Sequence, residues 1–238
     1  MYRRGINDPR ARWLRRQACR LREEFWSRTA LELGRPLESA EKLPVVPKAL
    51  ATKVLGLNFE EPQEIGALSR GKLRIEIAGV LNRFERKISI ARKFSFEIQR
   101  FTGAHEIAHY LIHPDLFNLR ASPVTDGSIR DQQKPRREME ADLFGAELLI
   151  PSEIVFDLFG RLFGDGVDGS HISDEQAYCV SNGKLTASAI SRLQPLERAR
   201  LIAAQPSLVA SHGRSLAEIF GVSATALGIS LLDLGLVR

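Results

Sequence analysis

Two adjacent stretches, "LRIEIAGVLNRFERKISI" (residues 73–90) and "FEIQRFTGAHEIAHYLIHP" (residues 96–114), predict the fold of this chain. Apolar side chains alternate with polar ones on both sides of the polar segment in the first stretch, at Leu73, Ile75 and Ile77 and again at Ile88 and Ile90. Alternation with a period of two predicts an antiparallel hairpin. The second stretch predicts a helix from about Phe96 to Ile112, because Pro114 disfavours helical geometry at the residue before it. The predicted fold class is therefore α+β, a small antiparallel sheet packed on a mainly helical body.

Three of the five histidines in the chain, His105, His109 and His113, stand at four-residue intervals in the predicted helix. Four residues are slightly more than one helical turn, so His105 and His109 project from one face and can share a metal ion. In the His-Glu-x-x-His pattern the two imidazoles bind Zn²⁺, and the intervening glutamate, Glu106, takes the proton of the attacking water. His113 lies at the frayed end of the helix, where we expect a capping or packing role. The competing interpretation is a helix whose histidines only pack, and it predicts no third ligand.

A catalytic zinc site needs a third protein ligand, and the stretch "RREMEADLFGAELLIP" (residues 136–151) contains a candidate. On a helical wheel Glu138 and Asp142 lie within about 40° of each other, on the side flanked by apolar residues. Carboxylates on an inward face are costly unless they are paired or bind a metal. We therefore predict that Glu138 is the third ligand and that Asp142 orients a ligand imidazole. An inward Glu138 paired with an arginine is the alternative.

The remaining residues of this predicted helix complete the picture of the site. Gly145 lies on the inward side, where a missing side chain allows a second helix to approach closely. The zinc site is therefore predicted between two core helices. Glu140 and Glu147 fall together on the other side of the wheel and are predicted to form a solvent-exposed stripe, so replacement of Glu140 by alanine is expected to be nearly silent.

The stretches "RFTGAHEIAHYLIH" (residues 100–113) and "EMEADLFGAELLIP" (residues 138–151) together resemble the ImmA/IrrE family of zinc metallopeptidases. The Glu-x-x-x-Asp spacing also resembles the gluzincin arrangement. The resemblance covers roughly residues 43–160 and implies an endopeptidase with one Zn²⁺ per chain. It further implies a helix-turn-helix transcriptional repressor as the protein substrate, whose cleavage releases genes from repression. We expect the substrate peptide to pair with an edge strand of the hairpin, at residues 86–91.

The resemblance carries over to four functional residues of this chain: the ligands His105, His109 and Glu138 and the catalytic base Glu106. The sequence departs from the family pattern at Asp142, where asparagine is common, and at Gly103, where a leucine often precedes the histidine motif. Neither departure removes a functional group from the chemistry.

Two further regions are predicted to flank the metallopeptidase core at 43–160: a basic N-terminal helical extension at 1–42 and a glycine-rich loop with a C-terminal helical region at 161–238. Eight arginines fall within the first 22 residues against one acid. Apolar residues recur at helical spacing from Leu14 to Phe25, which predicts an amphipathic helix over about residues 10–33 with arginine on its exposed face. A surface that binds DNA or an acidic partner is the alternative interpretation of these arginines.

Two side chains are candidates for a further catalytic role, and the C-terminal region contains one candidate DNA-binding unit. His171, in the glycine-rich loop, and Tyr110, on the predicted zinc helix, are candidate oxyanion stabilisers, with surface and packing roles as the competing interpretations. Residues 215–235 form a helix-turn-helix-like unit. Its second helix carries none of the Arg, Lys, Asn or Gln side chains that contact bases and phosphates. We therefore expect a packing motif, and DNA binding is not favoured.

Composition limits the remaining classes of function. An apolar content of 44% is enough to bury a core. No run approaches the ~18 apolar residues of a membrane helix, and the first residues lack the apolar core of a secretory signal, so we expect a cytoplasmic protein without a membrane partner. Cys19 and Cys179 are too few for a disulfide framework. The leading hypothesis is a zinc endopeptidase, and the alternative is a non-catalytic zinc-containing regulator; the sequence leaves the oligomeric state open.

Overall fold

The computed structural model describes residues 8–38, 41–70, 73–114, 120–123, 135–164, 172–205 and 213–238. The chain divides into two compact units, one built from Pro9–Leu149 and the other from Ile150–Arg238. The domain boundaries predicted near residues 42 and 160 stay predictions.

The Pro9–Leu149 unit combines helices with a small sheet, which confirms the α+β fold class. Its elements are α1 (Pro9–Leu33), α2 (Pro47–Lys53), β1 (Asn58–Glu60), β2 (Ala67–Arg70), β3 (Leu73–Asn82), β4 (Lys87–Ile90), α3 (Phe96–Ile112), β5 (Arg120–Pro123) and α4 (Arg136–Leu149). The predicted hairpin is present as β3 and β4, and the predicted histidine helix is present as α3, which ends at Ile112 as Pro114 requires. The amphipathic helix predicted near the N-terminus is α1.

The sheet is mixed, whereas the sequence predicts a purely antiparallel one. β4 pairs antiparallel with β3 along one edge and parallel with β1 along the other. β2 pairs with the first half of β3 and β5 with its second half, both antiparallel. Because β4 is hydrogen-bonded on both sides, the expectation that residues 86–91 offer an open edge to a substrate peptide is wrong. The parallel partner, β1, is only three residues long and lies about thirty residues earlier in the chain, so the local pattern of the hairpin does not indicate it.

Glycines allow α3 to lie close to both the sheet and α4. A Cβ atom at Gly145 of α4 would lie 3.3 Å from the backbone N of His105, so the missing side chain brings the two helices together as predicted. A Cβ atom at Gly79 of β3 would overlap the Thr102 γ-methyl on α3 and lie 3.4 Å from Glu106 Cγ. A Cβ atom at Gly103 would meet Pro47 Cβ at 3.1 Å, which explains why this chain has no leucine before its histidine motif.

The side of α4 that carries Glu140 and Glu147 is buried, so the prediction of a solvent-exposed stripe is wrong. Helix α1 packs against this side with arginines. Arg10 Nη2 lies 2.6 Å from Glu140 Oε2, and Arg15 Nε lies 3.8 Å from Glu147 Oε2. Arg22 is fully buried and donates a 2.8 Å hydrogen bond to the carbonyl oxygen of Glu147. A helical wheel shows which residues share a face but not which element covers that face, and here opposite charges on the covering helix compensate the burial of the carboxylates.

The Ile150–Arg238 unit is helical over its described residues, with α5 (Ser152–Phe163), α6 (Asp174–Ser181), α7 (Ala187–Ser191), α8 (Pro195–Ala204), α9 (Leu216–Phe220) and α10 (Ala224–Asp233). Helices α9 and α10 form the predicted helix-turn-helix-like pair, joined through Gly221 in the left-handed conformation. α10 packs on α8, where a Cβ atom at Gly228 would lie 3.1 Å from the backbone N of Arg200. Among the helices of the described ranges, none combines the length and the apolar character needed to cross a membrane.

Candidate metal centre

Helices α3 and α4 bring together the three side chains that the sequence predicts as metal ligands, His105, His109 and Glu138. The Nε2 atoms of the two histidines lie 3.0 Å apart. One carboxylate oxygen of Glu138 lies 3.3 Å from His105 Nε2, and the other lies 3.3 Å from His109 Nε2. All three side chains are buried. Within the ranges that the structure describes, no other group of three such side chains converges in this way.

Asp142 lies against the imidazole of His105, where it could play the orienting role that the sequence predicts for it. Its Oδ1 atom lies 2.9 Å from His105 Nδ1. With the Nδ1 proton in this hydrogen bond, the neutral ring would offer its Nε2 lone pair to a metal at the point where the three side chains converge. Asp142 follows Glu138 by one helical turn, so α4 supplies both a ligand candidate and the carboxylate that aims another ligand at the same point.

His113 contacts His109 and lies outside the converging group. It is the C-cap residue of α3, where its backbone N–H donates to the carbonyl oxygen of His109 at 3.2 Å. Its Nδ1 atom lies 3.0 Å from His109 Nδ1, and its Nε2 atom lies 3.4 Å from Glu140 Oε2. His113 therefore caps the helix and packs against His109, as the sequence predicts. Its Nδ1 atom is also within hydrogen-bonding distance of His109 Nδ1, the ring nitrogen of His109 that does not face the cluster.

Arg83, in the turn between β3 and β4, closes the C-terminal end of α3. Its Nη2 atom donates to the carbonyl oxygens of His109, Tyr110 and His113 at 2.6, 2.7 and 2.9 Å. The last carbonyls of a helix lack intrahelical partners, and a cation is favourable at that end of the helix dipole. The guanidinium also lies 5.1 Å from the ring centroid of Tyr110, so that ring has the packing position that the sequence favours. The other oxyanion candidate, His171, lies outside the described residues.

Glu106 lies beside the cluster and is fully buried between α3 and the sheet. The absence of a side chain at Gly79 of β3 leaves room for its aliphatic stem. Its negative charge acts on His105 and contributes to raising the pKa of that imidazole. The predicted general base thus shares its environment with the predicted ligands.

The charges of the site balance in a way that suits a cation. Burial lowers the pKa of His105, but hydrogen bonds to Asp142 and Glu138 outweigh burial and raise it to about 9. Burial likewise disfavours the carboxylate of Glu138, yet hydrogen bonds from His105 and His109 keep its pKa below the usual range. Buried carboxylates thus stabilise positive charge where the side chains converge. Two imidazole nitrogens and a carboxylate oxygen are the donor set of a catalytic zinc site, and the residues present fit such an ion.

Residues 74–168 match the family Peptidase_M78, the IrrE N-terminal-like domain. This match supports the resemblance to the ImmA/IrrE family of metallopeptidases that the sequence indicates. The matched range includes all of α3 and α4, and with them the whole His105, His109 and Glu138 cluster. No curated protein matches the chain.

Sequence reasoning missed two residues that touch the cluster. The contact of Glu140 with His113 had no local signal, because the helical wheel places Glu140 on the side of α4 away from Glu138 and Asp142. Arg83 had none, because no local pattern shows that a hairpin turn will meet the end of the next helix.

Proposed function

We propose that the protein is a zinc-dependent endopeptidase of the gluzincin type. The observation that carries this proposal is the convergence of His105 Nε2, His109 Nε2 and the Glu138 carboxylate, with each imidazole held through its other nitrogen. These three side chains would hold one Zn²⁺ per chain. When bound, zinc supplies Lewis acidity that polarises a scissile carbonyl and activates water.

The chain's own residues would perform the proton transfers and the orientation. Glu106 is the proposed general base, which accepts the proton of the attacking water and then delivers it to the leaving amine. Support comes from its place directly after His105 and its burial against β3. Asp142 holds the His105 ring so that Nε2 keeps its lone pair for the metal. The donor to the oxyanion stays unassigned between Tyr110 and His171.

The proposed substrate is a helix-turn-helix transcriptional repressor, so the protein would act in gene regulation in the cytoplasm. Family resemblance supports this substrate class. A DNA-binding regulator is less well supported, because Arg10, Arg15 and Arg22 of the basic helix are engaged with α4. Cationic side chains that already face carboxylates contribute less to phosphate binding.

The test is an incubation with the repressor encoded nearest to this gene, with and without a chelator, followed by mass spectrometry of the products. Glu106→Gln preserves shape but cannot accept a proton, so it should retain zinc and lose on the order of 10²-fold or more in cleavage rate. Glu97→Gln, on the first turn of the same helix, is the control and should cleave at the normal rate. Chelator-insensitive cleavage, or full activity of the Glu106 variant, would contradict the mechanism.

A further inference from the structure

We propose that His113 and Glu140 act as positioning residues for His109, and that Arg10 connects this hydrogen-bonded chain to helix α1. The inference rests on the proposed metal site and deepens it. It gives the basic N-terminal helix a structural role in that site.

The first link joins His109 to His113. A histidine that offers Nε2 to a metal carries its proton on Nδ1. The Nδ1 atom of His113 lies 3.0 Å from the Nδ1 atom of His109. His113 must therefore accept there and carry its proton on Nε2.

The second link joins His113 to Glu140. His113 Nε2 lies 3.4 Å from Glu140 Oε2, so its proton points at a carboxylate. Arg10 Nη2 at 2.6 Å and Arg136 Nε at 2.9 Å hold that carboxylate. Two guanidinium groups against one carboxylate favour its charged form. An anionic acceptor at the far end of the chain strengthens His113 as an acceptor for His109, because hydrogen bonds in series polarise one another.

The two histidine ligands thus have equivalent support from the same helix. Asp142 accepts a hydrogen bond directly from the Nδ1–H group of His105, whereas Glu140 acts on His109 through the imidazole of His113. Together with Glu138, which faces both histidines, Glu140 and Asp142 make three carboxylates on one stretch of α4. Groups that orient a ligand histidine in this way typically change metal affinity by about 10- to 100-fold.

Glu147 provides a matched control for Glu140. Both glutamates are buried on α4, and both meet arginines of α1. Of these two glutamates, only Glu140 lies within hydrogen-bonding distance of a histidine of the described ranges. If the role of Glu140 is only to pair with an arginine, the two residues should respond alike to substitution.

The experiment measures the zinc dissociation constant of the full chain by competition with a chromophoric chelator, together with the melting temperature of the metal-free protein. Glu140→Gln and His113→Phe should each weaken zinc binding by about tenfold, at the lower end of the range for orienting groups. His113→Asn should bind zinc more tightly than His113→Phe, since its carboxamide oxygen can still accept from His109. Arg10→Ala should weaken zinc binding by about threefold, because Arg136 remains.

Glu147→Gln should lower the melting temperature and leave the zinc dissociation constant within about twofold of the wild-type value. Equal zinc affinity in Glu140→Gln and the wild type, with both glutamine variants losing thermal stability, would overturn the inference and reduce Glu140 to an ion-pair partner. Identical behaviour of His113→Asn and His113→Phe would overturn the role of the Nδ1 acceptor. A wild-type protein that binds no zinc would instead refute the proposed function, so the two failures are distinct.

Discussion

Gly79→Ala tests the contact between the sheet and the helix that carries the proposed catalytic base. The new methyl group would overlap the γ-methyl of Thr102, lie 3.0 Å from Ile90 Cδ1 and lie 3.4 Å from Glu106 Cγ. Ordinary carbon–carbon contacts are about 3.5–4.0 Å, so β3 and α3 must separate or the Thr102 side chain must move. Thr102 and Ile90 are both buried, which leaves little space for such movement.

The expected loss of stability follows from two opposing contributions. Overpacking a buried site costs about 3 kcal/mol at the upper end of its range, and replacing a strand glycine by alanine returns roughly 1 kcal/mol of backbone entropy. Gly79→Ala should therefore lower the free energy of unfolding by about 2 kcal/mol. Thr102→Ser removes the overlapping methyl group and alone should cost about 1 kcal/mol of lost burial. In the double variant the overlap is relieved, so the gain of about 1 kcal/mol in backbone entropy offsets the cost of Thr102→Ser; we expect a total loss near zero and a coupling of about 3 kcal/mol.

Urea unfolding of the metal-free wild type, both single variants and the double variant measures the coupling. Zinc content and cleavage rate should be measured on the same samples, because displacement of Glu106 would lower the rate even where zinc is retained. Losses in the double variant that equal the sum of the two single losses would show that the Gly79 and Thr102 positions do not contact each other. The close approach of β3 to α3 would then be refuted.

Three further predictions concern α4 and its partner α1. Gly145→Ala gains about 1 kcal/mol of helix propensity but places a methyl group 3.3 Å from the His105 backbone N. The free energy of unfolding should stay within about 1 kcal/mol of the wild-type value, while chelator competition should show about tenfold weaker zinc binding. Unchanged zinc affinity would contradict the tight contact between the two helices. Arg22→Ala removes a buried cation and the donor to the Glu147 carbonyl, and should cost about 3 kcal/mol in urea unfolding; a loss below about 1 kcal/mol would place Arg22 at the surface. The pKa of Glu140 is lowered from 4.5 to about 2, so its contribution to stability is present above pH 4.5 and is lost as the pH falls towards 2. Metal-free Glu140→Gln should therefore show a flatter pH dependence of the urea midpoint in that window. Identical curves for the variant and the wild type would refute the pairing of Glu140 with its arginines.

Predictions that depend on the spacing of neighbouring residues succeeded. The hairpin, the helix α3 and the meeting of His105 with His109 follow from periods of two and of about four residues. Glu138 required one further step, the cost of a carboxylate on an inward helix face, and the structure places it against both histidines.

Predictions that depend on which distant element covers a surface failed. The open edge expected at residues 86–91 is occupied by β1, and the exposed stripe expected at Glu140 and Glu147 is covered by α1. In both cases the local sequence is compatible with exposure. The β4 pattern predicts one strand of a hairpin, and a stripe of glutamates predicts a solvent-exposed helix face. The missing information lies in pairs between separate segments, such as Arg10 with Glu140 and Arg15 with Glu147, which no local pattern contains.

The acidic side chains of α4 divide into two sets with different counter-charges. Glu138 and Asp142 face the imidazoles of α3, whereas Glu140 and Glu147 face the arginines of α1. A buried helix that carried all four carboxylates without compensation would be strongly disfavoured. Because arginine stays protonated at every physiological pH, α1 neutralises the second set permanently and leaves the first set to respond to a cation at the histidines. Three arginines of α1 thus compensate the two buried glutamates on the other side of the helix that carries Glu138.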